Sequence, residues 1–103
     1  MTSNLIAEQI KQLPANPGVY IFRDIEGNIL YVGKAASLRH RVRSYFGAKH
    51  RLSPKLQRLV DRVHDLDFFV TNTEQEALIL EYNLIKRHHP RYNVRLKDDK
   101  TFP

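Results

Sequence analysis

The chain has 103 residues, which is enough for one domain with a modest core. It contains no cysteine, which excludes disulfides and thiolate chemistry, and no apolar run approaches the roughly 18 residues of a membrane-spanning helix. The net charge is +6, and the charge is unevenly placed along the chain. Between Lys34 and Val60 eight Lys or Arg residues occur without an acidic residue, and five more follow from Lys86 to Lys97.

Segregated positive charge is typical of a surface that binds a polyanion, most often nucleic acid. A basic face that only aids solubility and an acidic membrane surface are the alternatives. The polar N-terminal residues carry no signal-peptide pattern, so the default expectation is a cytoplasmic protein without a membrane segment. The candidate nucleic-acid contacts are Arg39, Arg43, Lys49, Arg51, Lys55 and Arg58.

In chain order, the patterns predict an α+β fold in which helices cover a small three-stranded antiparallel sheet. Strands are predicted at 19–23, 29–33 and 67–71, where β-branched and aromatic residues are bounded by turn residues. Helices are predicted at 4–13, 37–46, 54–63 and 74–88. Thr73 is expected to cap the last helix, with Glu76 completing a capping box.

Two tyrosines are expected to face each other across the first hairpin. The triplet Gly18-Val19-Tyr20 is followed by ten residues and then by Tyr31-Val32-Gly33. If 24–27 form a four-residue loop, Tyr20 lies directly opposite Tyr31, with Cβ atoms about 4.5–5.5 Å apart. Phenols at that distance can share protons and bind polar groups.

Glu81 is the second unusual residue. At about 100° per residue, Ala77, Leu78, Leu80, Leu84 and Ile85 form one apolar arc of the last helix, and Glu81 falls inside it. A carboxylate in an apolar stripe is costly unless it is paired or binds a metal ion. A structural salt bridge and a functional ligand or acid both remain open from the residues alone.

The junction after the second strand adds two further candidates. Gly33 lets the backbone approach another group closely, and Lys34 follows it directly. This junction could hold a phosphate at a helix N-terminus, although it lacks the spacing of a nucleoside triphosphatase loop. On the next helix Arg41 lies on one side of the apolar stripe, and Arg39 and Arg43 lie on the other.

Taken together, these motifs resemble the GIY-YIG nuclease family, with valine in place of isoleucine in both triplets. The similarity is greatest to the UvrC branch of the family, which acts in bacterial nucleotide excision repair. It extends over segments 17–20, 31–35, 43–46, 76–86 and 90–94. Gly18 and Gly33 are the structural glycines of the two triplets.

The resemblance implies a domain that cuts damaged double-stranded DNA 3′ to a lesion with one divalent ion, Mg²⁺ or Mn²⁺. It implies that Glu81 is the metal ligand, that Tyr31 accepts a proton from the attacking water or orients it, and that Tyr20 supports Tyr31. Arg41 would contact the phosphate. Lys34, Tyr45 and Asn93 would complete the catalytic group. The phenol of Tyr31 ordinarily has a pKa of about 10, which nearby Lys34 and a metal are expected to lower.

The resemblance also implies a partner, UvrB, bound mainly through parts of a longer protein. We therefore expect residues 1–103 to be a single GIY-YIG-like nuclease domain, excised from a multidomain protein. Two alternatives stay open, namely a stand-alone nuclease of the same branch and a DNA-binding module of the same fold without catalytic activity.

Overall fold

The computed structural model describes residues 4–47 and 51–93. Its elements are α1 (Asn4–Lys11), β1 (Gly18–Arg23), β2 (Ile29–Ala35), α2 (Leu38–Gly47), α3 (Pro54–Arg62), β3 (Asp65–Val70) and α4 (Glu74–His88). The predicted α+β class is confirmed, and every predicted helix and strand is present with small shifts at its ends. Among the described residues, no helix is long and apolar enough to cross a membrane.

The sheet is antiparallel with the strand order β2-β1-β3, so β1 is its central strand. Alternate β1 side chains enter two different cores, as the period of a strand requires. Tyr20 and Phe22 belong to the larger core, which α1, α2 and α3 cover. Val19 and Ile21 belong to the smaller core, which α4 covers through Ala77.

The expected register of the hairpin is wrong by two residues. Tyr20 pairs with Gly33, and Tyr31 pairs with Phe22, because Leu30 is an extra residue in β2 opposite the Phe22–Arg23 step. This β-bulge lets Leu30 and Tyr31, although adjacent in sequence, both pack against the larger core. A shift of two residues preserves the face of a strand, so Tyr20 and Tyr31 still share a face, diagonally rather than directly opposed.

The hairpin loop has five residues instead of four. The carboxylate oxygen Oδ1 of Asp24 accepts hydrogen bonds from the backbone N–H groups of Glu26 and Asn28, each at 2.9 Å. Gly27 adopts a φ of 86°, which favours glycine, and its N–H donates to the Asp24 carbonyl at 3.0 Å. An aspartate that bonds its own downstream backbone is a typical turn device, and here it adds one residue to the loop.

The start and the inner face of α4 also differ in detail from expectation. Thr73 Oγ1 accepts the N–H of Glu76 at 3.1 Å as predicted, but the Glu76 carboxylate accepts the N–H of Asn72 and so bonds one residue earlier than a capping box. Leu78 is 49% exposed and does not join the apolar arc. The arc that packs on the sheet consists of Ala77, Leu80, Leu84 and Ile85.

Candidate active site

A cluster of three tyrosines lies on the face of the sheet that α2 covers. The hydroxyls of Tyr20 and Tyr45 are hydrogen-bonded at 2.8 Å, and the rings of Tyr20 and Tyr31 have centroids 6.1 Å apart. Phe22 packs against all three rings and fixes their spacing. Tyr45 of α2 therefore joins the two strand tyrosines through its bond with Tyr20. The spacing of residues along the strands does not reveal this contact.

Burial separates the three phenols. Tyr20 is 1% exposed and Tyr45 is 7% exposed, whereas Tyr31 is only half-buried. Tyr31 is thus the phenol of this cluster that a solvent-borne molecule can reach, and the other two act from behind it. The sequence assigned Tyr31 the chemical role and Tyr20 the supporting role, and this difference in access is compatible with that assignment.

Burial also raises the pKa of the Tyr31 phenol well above its ordinary value, with the Tyr45 hydroxyl and the negative charge of Glu81 acting in the same direction and Arg41 opposing them. For Tyr20, burial again raises the pKa most strongly, followed by the neighbouring Tyr45 and Tyr31. The expected lowering of the Tyr31 pKa refers to a site with a bound metal and stays a prediction for that state. All the larger influences on this phenol favour its neutral form.

Gly33 is required by the close approach of Tyr20. The Tyr20 ring lies directly over the Gly33 backbone, and a Cβ atom at position 33 would collide with its hydroxyl oxygen and Cζ. Gly18 has a comparable reason, because a Cβ there would collide with the Phe69 carbonyl oxygen of β3 and lie 2.8 Å from a methyl carbon of Leu38. Both motif glycines thus serve close packing, Gly33 against Tyr20 of the cluster and Gly18 against β3 and α2.

Arg41 extends from α2 toward the three phenols. The oxygen of Tyr20, followed by those of Tyr45 and Tyr31, favours the charged guanidinium and raises the pKa of Arg41. Arg41, His40, Ser44, Ser37, Lys34 and Glu74 line a groove of about 470 Å³, hereafter the Arg41 groove. A fixed, partly exposed guanidinium beside such a groove suits a phosphate.

Glu81 reaches the edge of β2 from α4. Its Oε2 accepts the backbone N–H of Lys34 at 3.2 Å, and its side chain is half-buried. In residues 4–47 and 51–93, no cationic side chain lies within ion-pair distance of this carboxylate. A structural salt bridge therefore does not account for Glu81 in the described structure, and its second oxygen is not neutralised by a cation.

Lys34 connects two carboxylates of α4. Its backbone binds Glu81, and its Nζ lies 3.9 Å from Oε2 of Glu74. Glu74 and Glu81 are seven residues apart, or about two helical turns, so both lie on the same side of α4. Glu74 is not among the residues predicted for the site, and its seven-residue spacing from Glu81 is the signal that could have placed it in the groove.

Asn93, predicted as part of the catalytic group, is buried against the backbone of β2. It is 1% exposed, its Oδ1 accepts the N–H of Val32 at 2.7 Å, and its Nδ2 donates to the Val32 carbonyl at 2.8 Å. Both polar atoms are thus engaged by the backbone of β2 between Tyr31 and Gly33. Asn93 consequently holds the strand that carries Tyr31, and it does so from the outer edge of the sheet.

The helix junction after β2 likewise does not form the expected phosphate cradle. The N–H of Leu38 donates to the Asn16 carbonyl at 3.0 Å, and that of Arg39 donates to the Pro14 carbonyl at 3.1 Å. The N–H of His40 approaches Ser37 Oγ at 3.4 Å. Because protein acceptors already occupy these amides, the N-terminus of α2 has little capacity left for an anion.

The remaining basic candidates do not join the tyrosine cluster. Arg39 and Arg43 lie on the opposite flank of α2 from Arg41, as the helical spacing predicts. Arg51, Lys55 and Arg58 are exposed in or just before α3. Lys49 lies outside the described residues.

The oxygen chemistry of the site suits a single hard cation. Within the described ranges, no group of three or more His, Asp or Glu side chains could enclose a metal ion. One carboxylate is nevertheless enough for Mg²⁺, which commonly keeps several waters and binds through one or two carboxylates. Glu81, anchored by the Lys34 amide and without a cationic partner among the described residues, is the residue that fits this role.

Comparison with known proteins places this arrangement in a family. The family model described as a UvrC-like GIY-YIG domain matches residues 16–94. Among solved structures, the GIY-YIG N-terminal endonuclease domain of UvrC from Thermotoga maritima, bound to its catalytic divalent cation, magnesium, superposes with a TM-score of 0.80 at 40% identity. That match covers 90% of this chain and 100% of the solved chain. A variant of the same domain with one asparagine replaced by alanine superposes with a TM-score of 0.78.

The chain therefore belongs to the family of UvrC-like GIY-YIG domains, as the resemblance predicted. Curated relatives named UvrABC system protein C agree. The one from Dehalococcoides mccartyi is 55% identical over 103 residues, and the one from Moorella thermoacetica is 57% identical over 98 residues. The chain spans 17% of the length of the first and 16% of the second.

Proposed function

We propose that this chain is an endonuclease domain that hydrolyses a phosphodiester bond of DNA 3′ to a lesion in nucleotide excision repair, using one divalent ion, Mg²⁺ or Mn²⁺. The observation that carries the proposal is the convergence of three chemically distinct groups at the Tyr31 phenol. These groups are the phenol itself, the carboxylate of Glu81, which has no ion-pair partner among the described residues, and the guanidinium of Arg41; both charged groups lie close enough to influence the pKa of Tyr31. The magnesium-bound relative supports the choice of metal.

The side chains divide the work by position. Glu81 offers an oxygen ligand, and its bond from the Lys34 amide fixes its direction. A bound divalent ion supplies Lewis-acid stabilisation of negative charge on the phosphate oxygens. Arg41 holds the phosphate by charge-assisted hydrogen bonds and remains charged throughout.

Tyr31 lies where it can orient the attacking water or accept its proton. Tyr45 and Tyr20 position this phenol from the buried side, and their own hydroxyls bond each other. Lys34, held between Glu74 and the strand edge, adds positive charge at the mouth of the groove.

The wider context is part of the same proposal. We assign damaged double-stranded DNA as the substrate, the cytoplasm as the location and UvrB as a partner bound mainly outside residues 1–103. Full-length relatives are about six times longer, so these properties would belong to the complete protein. The exposed cations of α2 and α3 support nucleic acid as the ligand of this portion.

The decisive test measures incision of a lesion-containing duplex in Mg²⁺ and in Mn²⁺. Tyr31→Phe should abolish incision while circular dichroism and DNA affinity stay unchanged, and substantial cutting by this variant would remove Tyr31 from the chemistry. Glu81→Ala should abolish the metal response, so an unaltered Mg²⁺ titration would exclude it as the ligand. Arg87→Gln, a charge change at the far end of α4, serves as the control.

The non-catalytic alternative makes a different forecast. A DNA-binding module of the same fold would bind DNA in a salt-dependent manner and cut it in neither metal. A crystal soaked in Mn²⁺ provides an independent check. Metal density beside Glu81, within reach of Tyr31 and Arg41, is expected for the nuclease, and its absence from this position would contradict the proposed ligand.

A further inference from the structure

Helix α2 exposes positive charge on both of its flanks. The Arg41 groove lies along one flank, and a second groove of about 490 Å³ lies along the other. We call the latter the Arg43 groove; its lining comprises Ala7, Ile10, Lys11, Arg39, Arg43 and Phe46. The helix itself contains no acidic residue. Two cationic grooves thus run along one helix, and the first of them is lined by Arg41 and Lys34 of the proposed active site.

The cationic side chains of the Arg43 groove are not neutralised by strong ion pairs within the described structure. Arg39 donates its Nε–H to the Leu13 carbonyl at 2.9 Å, which leaves its terminal nitrogens for another acceptor. Lys11 lies 3.8 Å from the Glu8 carboxylate, but the two side chains are 74% and 66% exposed, so their attraction is weak. Arg43 is exposed and forms no ion pair within the described part of the chain. The groove therefore retains positive charge for an external anion.

The distance between the grooves restricts what that anion can be. An α-helix with its side chains is about 10–12 Å across, and the grooves lie on opposite flanks of α2. A strand in the Arg41 groove would have to cross the exposed ridge of α2 to enter the Arg43 groove. The major groove of B-form DNA is about 12 Å wide and admits an α-helix, with phosphates of the two strands on either side.

We propose, building on the nuclease function above, that α2 lies in the major groove of duplex DNA. The strand to be cut occupies the Arg41 groove, and phosphates of the opposite strand occupy the Arg43 groove. The domain thereby contacts both strands while only one of them reaches Tyr31 and Glu81. Duplex binding in this mode contributes to the choice of strand through phosphate contacts on both flanks of α2.

An acidic protein segment fits the Arg43 groove less well. Such a segment would bury apolar side chains in the groove, but Ile10 and Phe46 are already half-buried against the core. The remaining surface is dominated by Lys11, Arg39 and Arg43, which match a row of phosphates better than an amphipathic helix.

The test compares the salt dependence of binding to a lesion-free duplex of about 25 base pairs and to one of its single strands. Arg43→Gln and Lys11→Gln each remove one contact to the opposite strand. Each should therefore reduce the magnitude of the negative slope of log affinity against log salt by about 0.9 on duplex DNA. Neither should change the slope on single-stranded DNA. Arg87→Gln, which lies on the α4 side of the sheet, should change neither slope.

A second experiment identifies the strand. On a duplex with a lesion in one strand, neutral methylphosphonates in the opposite, uncut strand should weaken binding by the unaltered chain. They should have little further effect on Arg43→Gln, because that interaction is already lost. Equal losses by Arg43→Gln on duplex and single strand would overturn the two-strand arrangement, and so would no loss on either. Duplex-specific losses without incision in Mg²⁺ would leave this docking intact and refute the nuclease function. Incision without duplex-specific losses would refute the docking alone.

Discussion

Replacing Asn93 with alanine tests whether this residue acts through β2 or on the substrate. The substitution removes two hydrogen bonds, at 2.7 and 2.8 Å, from a side chain that is 1% exposed. Each lost bond costs about 1 kcal/mol, and a buried group left without a partner costs about 1–3 kcal/mol. Because water can partly replace the amide at the sheet edge, we expect Asn93→Ala to lower the free energy of unfolding by about 2–4 kcal/mol.

Urea unfolding followed by circular dichroism measures this change. The midpoint should fall while the dependence on urea stays the same, since the surface exposed on unfolding is unchanged. Incision should fall as well, because β2 carries Tyr31 and Gly33 on either side of Val32. A loss of stability and of activity together is the signature of a positioning role.

Asn93→Asp is the matched control because it keeps the size of the side chain. Its second carboxylate oxygen would face the Val32 carbonyl in place of the amide donor, so this variant should also be destabilised at neutral pH. The positioning role would be refuted if the free energy of unfolding of Asn93→Ala were within about 0.5 kcal/mol of that of the unaltered chain while incision was abolished. Asn93 would then have to act on the substrate itself.

Three further predictions concern the hairpin and one helix cap. Gly33→Ala should lower the free energy of unfolding by about 1–3 kcal/mol through its collision with Tyr20, and shortening Tyr20 to leucine in the same chain should recover part of this in urea titrations. The hydrogen bond from the Asn28 backbone N–H holds the pKa of the Asp24 carboxyl below its ordinary value. The stability that the Asp24 carboxylate contributes is therefore present above the pKa of Asp24 in the unfolded chain and is lost as pH falls through its pKa in the folded chain. Asp24→Asn should therefore lose less stability between pH 5 and pH 2, and identical acid profiles would contradict this. Ser53→Ala should cost about 1 kcal/mol by removing the cap of α3, which thermal unfolding can detect.

The elements were predictable because their signals are local. Pro14, Pro54 and Thr73 each begin or end a helix by backbone chemistry that does not depend on the rest of the fold. The position of Arg41 on the opposite flank from Arg43 likewise follows from helical spacing alone. Leu78 was wrongly assigned to the buried arc of α4. The width of that arc depends on how far the sheet extends beneath the helix, and the sequence of the helix alone does not contain this information.

The connections within the site were not predictable in the same way. The bond between Tyr20 and Tyr45 joins residues 25 apart, and that between Asn93 and Val32 joins residues 61 apart. Both depend on how α2 and the segment after α4 dock on the sheet. The resemblance to a family indicated both Tyr45 and Asn93 as candidates. Only the three-dimensional arrangement shows that Tyr45 is a buried phenol of the cluster, whereas the Asn93 amide binds the backbone of β2.

The bulge at Leu30 has a consequence for comparing this chain with sequences of different hairpin length. The five-residue loop and the bulge lie between the two triplets. Together they accommodate additional residues in the hairpin without changing the face of the sheet on which Tyr31 lies. What the site requires is the pairing of Tyr20 with Gly33, not a fixed count of residues between them. Insertions or deletions in this interval are therefore compatible with an intact site as long as Tyr20 still pairs with Gly33, so that Tyr31 stays on the same face of the sheet.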